Sequence, residues 1–135
     1  MKKLILFVLF LLFILVACQT NDNKGFLDVN ISKVNISKSN GFGKLNSDFF
    51  IVYQDKESLD IFNNAISTAV KREGVADMAE PEFDLKVSYT GGNKQGFHLW
   101  LGENGQKSTI MKVNDTHITY SISEEMTDQL IDLLK

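Results

Sequence analysis

Phe83-Asp84-Leu85-Lys86-Val87-Ser88-Tyr89 is followed at once by Thr90-Gly91-Gly92. Its apolar side chains at Phe83, Leu85, Val87 and Tyr89 alternate with Asp84, Lys86 and Ser88, the period-two signature of a strand with one buried face. The glycine pair supplies turn chemistry that reverses the chain. Phe97-His98-Leu99-Trp100-Leu101 continues the theme and is closed by Gly102-Glu103-Asn104-Gly105. Ser108 to Val113 then runs to an Asn114-Asp115 turn, and Thr116 to Ile122 carries Ile118, Tyr120 and Ile122 on one side. Connections this short join antiparallel neighbours, so the four runs form a meander.

Downstream, Ser123 precedes Glu124 and Glu125, an N-cap with acids in the first turn. Met126, Leu130, Leu133 and Leu134 give the helix that follows one apolar stripe. Upstream, Asp55 caps a second helix, in which Leu59, Phe62, Ala65, Ile66, Ala69 and Val70 recur at helical spacing before Gly74 acts as a stop. Phe49-Phe50-Ile51-Val52-Tyr53 reads as a buried central strand. Ahead of it, Val29-Asn30-Ile31-Ser32-Lys33 is repeated as Val34-Asn35-Ile36-Ser37-Lys38. Five is an odd repeat, so an unbroken strand would turn the second Val and Ile to the opposite face, and a bulge near Ser32-Lys33 is expected to restore them. The Asn-x-Ser triplets within the repeats are read as polar strand positions. Between them and Phe49, Ser39 to Asp48 is a loop, and its lone Gly41-Phe42-Gly43 lacks the third glycine of a dinucleotide fingerprint.

Both helices must bury a stripe, and the meander offers one apolar face. The expected fold is therefore a two-layer α+β domain: an antiparallel sheet, made of the four-strand meander plus one or two N-terminal strands, with two helices on one face. From Phe49 onward the order β-α-β-β-β-β-α resembles the TBP-like fold, a likeness of topology that implies no DNA binding.

With Phe97, Leu99 and Leu101 toward the helices, His98 and Trp100 point to the other face, alongside Lys86, Ser88, His117, Thr119 and Ser121. An exposed Trp among polar side chains is the kind of anchor that binding surfaces use. Lys86, His98, Trp100 and His117 are therefore the candidate binding residues. Two histidines without further ligands make no zinc site, so no metal or other cofactor is expected. No catalytic residue is assigned, because the chain has no spare Cys, no Gly-x-Ser-x-Gly and no His-Glu-x-x-His. Glu80, Glu82 and Asp84 around Pro81 read as a solvated edge, although paired carboxylates perform acid/base work when burial splits their pKa values.

The start of the chain has a different character. Lys2-Lys3 precedes an unbroken apolar run from Leu4 to Ala17, a secretory signal too short for a stable bilayer span. Its end, Leu15-Val16-Ala17-Cys18, resembles the lipobox of bacterial lipoproteins. That resemblance implies cleavage before Cys18, a covalent diacylglycerol/acyl lipid at Cys18, carried on its thiol, and a cell-membrane location on the extracytoplasmic face. The organisation is thus signal peptide 1–17, lipidated Cys and flexible tether 18–25, and one globular domain 26–135. Fully extended, the tether reaches roughly 25 Å at about 3.5 Å per residue. Net charge is -3, and losing Lys2 and Lys3 with the leader makes it -5. Such a domain repels phosphate backbones, so nucleic acid is not a partner. Phe83 to Leu101, above all Phe97-His98-Leu99-Trp100-Leu101, together with Tyr120 and the Leu-rich last helix, resembles the YhfM-type lipoproteins of bacilli. That resemblance implies the membrane address and the domain, and it assigns no functional residue.

The leading expectation is a non-catalytic, lipid-anchored domain that binds a protein, peptide or cell-wall partner through its outer sheet face. The alternative is a small cell-envelope hydrolase using carboxylates or His98 and His117. A solute-binding component is disfavoured, since one small domain cannot close two lobes around a ligand.

Overall fold

The computed structural model describes residues 30–72 and 77–135. The leader, Cys18, the tether, Val29 and the expected helix stop at Gly74 lie outside the described residues. In chain order the elements are β1 (Ile31–Lys38), β2 (Ile51–Tyr53), α1 (Lys56–Ser67), β3 (Val70–Arg72), β4 (Phe83–Tyr89), β5 (Lys94–Trp100), β6 (Ser108–Lys112), β7 (Asp115–Ile122) and α2 (Glu124–Leu134). They form a seven-stranded antiparallel sheet in the order β2-β1-β4-β5-β6-β7-β3, with both helices on one face. The two-layer α+β architecture and the β4 to β7 meander are as expected from the alternation.

The duplicated segment shows how sequence dictates local shape. β1 pairs with β4 in a register that shifts between Ile31 and Lys33, where the odd repeat demands a bulge. The shift brings Ile31, Val34 and Ile36 into one core. Phe62 and Ile66 from α1, with Met126 and Leu130 from α2, close over them and over Leu85, Val87, Phe97, Leu99, Ile110 and Ile122. Both helices begin as expected: Asp55 accepts from Ser58 N–H at 2.9 Å, and Ser123 accepts from Met126 N–H at 3.3 Å. Among the described residues no helix is long and apolar enough to cross a membrane.

Two expectations are corrected. Phe49 to Tyr53 is not a central strand, because β2 lies at the edge of the sheet and pairs with β1 alone. Its outward side chains Phe50 and Val52 are about half exposed, at 50% and 48%. A short apolar run has no periodicity that distinguishes an edge from a centre. The first helix also stops earlier than its apolar spacing suggests. Thr68 caps it through an N–H donated to Asn64 O at 3.1 Å, and the chain then extends as β3 along β7, placing Lys71 opposite Tyr120. Branched Val70 favours extended backbone, and the ladder to β7 replaces the last helical turn. The order from β2 is therefore β-α-β-β-β-β-β-α, one strand more than the TBP-like order.

Candidate active site

The face of the sheet away from the helices is not open. Residues 39–50, which connect β1 to β2, cross it as a strap. Ser37 Oγ donates to Asn46 O at 2.6 Å, and Asn46 Nδ2 donates to Lys38 O at 2.7 Å, tying the strap to the end of β1. Leu45 reaches over Gly96, where a side chain would meet both Leu45 and Val113.

Beneath the strap lies a polar pair. The β4–β5 register sets Asp84 directly opposite His98, and both side chains are completely buried, at 0% exposure. Asp84 Oδ1 lies 2.7 Å from His98 Nδ1. Asp84 Oδ2 accepts from Asn46 N–H at 2.7 Å, and His98 Nε2 accepts from Gly43 N–H at 3.2 Å. Neutral imidazole satisfies this arrangement, with Nδ1–H donating to the carboxylate and the Nε2 lone pair facing the strap. The Phe42 ring stands edge-on to the imidazole at 6.1 Å between centroids, and Trp100 does so at 6.4 Å. Met111 of β6 is the cross-strand neighbour on the other side.

This is an imidazole with an orienting carboxylate. A carboxylate on Nδ1 fixes the tautomer and stabilises the imidazolium that forms when Nε2 takes a proton. Among the described residues Nε2 has one hydrogen-bond partner, the Gly43 amide. With that partner gone, a water at Nε2 could be deprotonated for attack on a carbonyl carbon.

The four residues expected to share an exposed face are separated by the strap. His98 is buried. Trp100 is half-buried, with its ring 5.8 Å from Phe42 and its Nε1–H donated to Ala79 O at 2.8 Å. Lys86 is half-buried opposite Gly96, and His117 is exposed on β7 beyond Thr119, the residue that pairs with Met111. The two histidines therefore do not meet, and the described residues contain no group of three or more His, Cys, Asp or Glu able to hold a metal. Of the carboxylates around Pro81, Asp84 is the buried one, whereas Glu82 is part-exposed and 3.9 Å from Lys135 Nζ. Two surface grooves, of about 410 and 470 Å³, lie elsewhere, and neither lining includes Asp84 or His98.

Sequence reasoning missed Asp84 as the partner of His98, and missed Gly43 and Asn46 altogether. A signal was present, because Asp84 and His98 are equidistant from Gly91 and so face each other in a hairpin centred there. Nothing in the loop composition announced that it would fold back over the sheet.

The model of the YhfM protein family matches residues 28–135. The chain belongs to the YhfM family. No curated protein matches it in sequence. Among solved structures it is similar to a crystal structure of a thioesterase-like protein from Clostridium sporogenes, with 19% identity, a TM-score of 0.63 and coverage of 80% of this chain and 98% of that one. At that identity the likeness establishes a shared fold. It also corrects the expectation of a non-catalytic binding domain: the fold is one carried by a protein described as thioesterase-like, and the face assigned to a partner holds a covered Asp–His pair.

Proposed function

We propose that this YhfM-family chain is a lipid-anchored, extracytoplasmic hydrolase of carboxylic esters or thioesters, with His98 as general base and Asp84 as its positioning residue. The observation that carries this reading is the fully buried 2.7 Å contact between Asp84 Oδ1 and His98 Nδ1, which leaves the Nε2 lone pair facing a single backbone amide. The shared fold with a thioesterase-like protein supports the choice of acyl substrate. The lipobox-like Leu15-Val16-Ala17-Cys18 supports the membrane address.

The step balances without a cofactor. Water gives a proton to His98 Nε2 as its oxygen bonds to the acyl carbon. The tetrahedral intermediate then breaks its bond to the leaving sulfur or oxygen, and the same proton passes from Nε2 to that atom. Asp84 stays ionised throughout and holds Nδ1–H. A positioned general base contributes roughly 10²- to 10⁴-fold. The test is turnover of p-nitrophenyl acyl esters and acyl-coenzyme A thioesters by the full chain in detergent. His98→Gln, with its fold checked by circular dichroism, is expected to lose at least about 100-fold in kcat. A wild-type chain that turns over neither class, or a folded His98→Gln that retains full kcat, rules the reading out.

A further inference from the structure

The strap caps the base itself. Gly43 N–H donates to the Nε2 lone pair, the atom that the proposed hydrolysis requires, so the described conformation is closed and its base is occupied. We infer that the 39–45 part of the strap is proton-gated, closed on neutral His98 and released when Nε2 carries a proton, while Asn46 stays tied to Asp84, Ser37 and Lys38.

Nε2 accepts only while unprotonated, and protonation sets its N–H against the Gly43 N–H, two donors with nothing between them. A buried donor without an acceptor is costly, so the contact must open. Asp84 does not compensate, because Oδ1 is already engaged by Nδ1 and Oδ2 by Asn46 N–H. Among the described residues Asp84 is the one charged side chain in ion-pair contact with His98. The other charged residues on the elements packed around the ring are Lys86 on β4, Lys94 on β5, Lys112 on β6, and Lys44 and Asp48 in the strap. Glycines flank Phe42 with φ of +111° at Gly41 and +78° at Gly43; a Cβ at Gly43 would meet nothing within 4 Å, and one at Gly41 would meet Glu80 Oε1 at 3.9 Å, a further charged group beside the strap. Phe42 between them is 47% exposed.

The catalytic consequence rests on the proposed hydrolase reading. Neutral His98 is capped by Gly43, so turnover needs a transient opening that admits water to Nε2; the proton then taken from that water holds the strap open until it passes to the leaving group. The gate itself stands on the geometry alone.

Amide exchange of the ¹⁵N-labelled full chain in detergent micelles tests it, with the His98 ring followed by its own proton signals. Protection factors, corrected for the intrinsic pH dependence of exchange, are expected to fall at least about tenfold at Gly43 as His98 protonates, with the same midpoint, and to hold at Asn46, whose N–H stays on Asp84 Oδ2. Tyr89 and Val113, whose amides bond Asn93 O and Gly96 O in the hairpins, are expected to keep theirs. In His98→Gln, which cannot titrate, Gly43 protection is expected to be independent of pH. Unchanged Gly43 protection across the His98 titration overturns the gate. So does loss at all four amides together, which is acid unfolding, or a ring that stays neutral until the chain unfolds. No substrate enters the measurement, so a chain that hydrolyses nothing still tests the strap.

Discussion

Asp84 carries a buried carboxylate on two hydrogen bonds, one from an imidazole and one from a backbone amide. Removing its charge leaves the shape intact but weakens both bonds and frees the imidazole to adopt the other tautomer, whose Nε2–H would face Gly43 N–H. Asp84→Asn is therefore expected to cost about 1–3 kcal/mol in urea unfolding and to lower ester turnover more than it lowers stability. An unchanged kcat in a folded Asp84→Asn protein would remove Asp84 from the positioning role. Tyr89 presents the opposite case. Its hydroxyl is buried without a hydrogen-bond partner, and burial pushes its pKa above the ordinary 10.0. A raised folded pKa means stability that is complete below pH 10.0 and declines as pH rises through the folded value. Tyr89→Phe is expected to match or exceed wild-type stability at pH 7, and to flatten the alkaline decline seen in thermal melts between pH 9 and about 11.

Elements were legible in proportion to how far local pattern controlled them. Alternation from Phe83 to Ile122 gave the meander, and the odd repeat at Val29 to Lys38 gave the bulge. β3 escaped because its pairing with Thr119 to Ser121 is a long-range contact, invisible in a run that continues helical spacing. The strap escaped for the same reason: Gly41-Phe42-Gly43 looks like any polar loop until the sheet it crosses exists. His98 was singled out for an exposed face, yet its burial depends on the strap and could not be read from β5. Gly102 shows how tightly one such connection is built. A Cβ there would sit 2.5 Å from Lys107 O, while its N–H donates to Ser108 Oγ, which in turn bonds Thr127 Oγ1 of α2 at 2.8 Å. Gly102→Ala must move backbone that anchors α2, and is expected to destabilise by about 1–3 kcal/mol in urea unfolding, with the loss of protection concentrated at Ser108 and the first turn of α2.

For the whole molecule, the chemistry proposed at His98 has meaning only at the place where the chain is held. With the proposed cleavage before Cys18 the charge becomes -5, which offers no attraction for anionic headgroups. Retention therefore falls to the lipid proposed at Cys18, the chain's single Cys. Two acyl chains anchor stably where one does not, each buried CH₂ contributing about 0.8 kcal/mol. Cys18→Ala is expected to leave the membrane pellet and appear in the soluble fraction after osmotic or cell-wall release, whereas the wild type stays in the pellet through high-salt washing. Salt resistance separates the mechanisms, because a charge-held protein would wash off at 1 M salt, where the Debye length is about 3 Å. If Cys18→Ala is processed and still pellets, something other than the lipid holds the chain, and the strap-covered face would then be confined to a membrane by a partner and not by its own first residue.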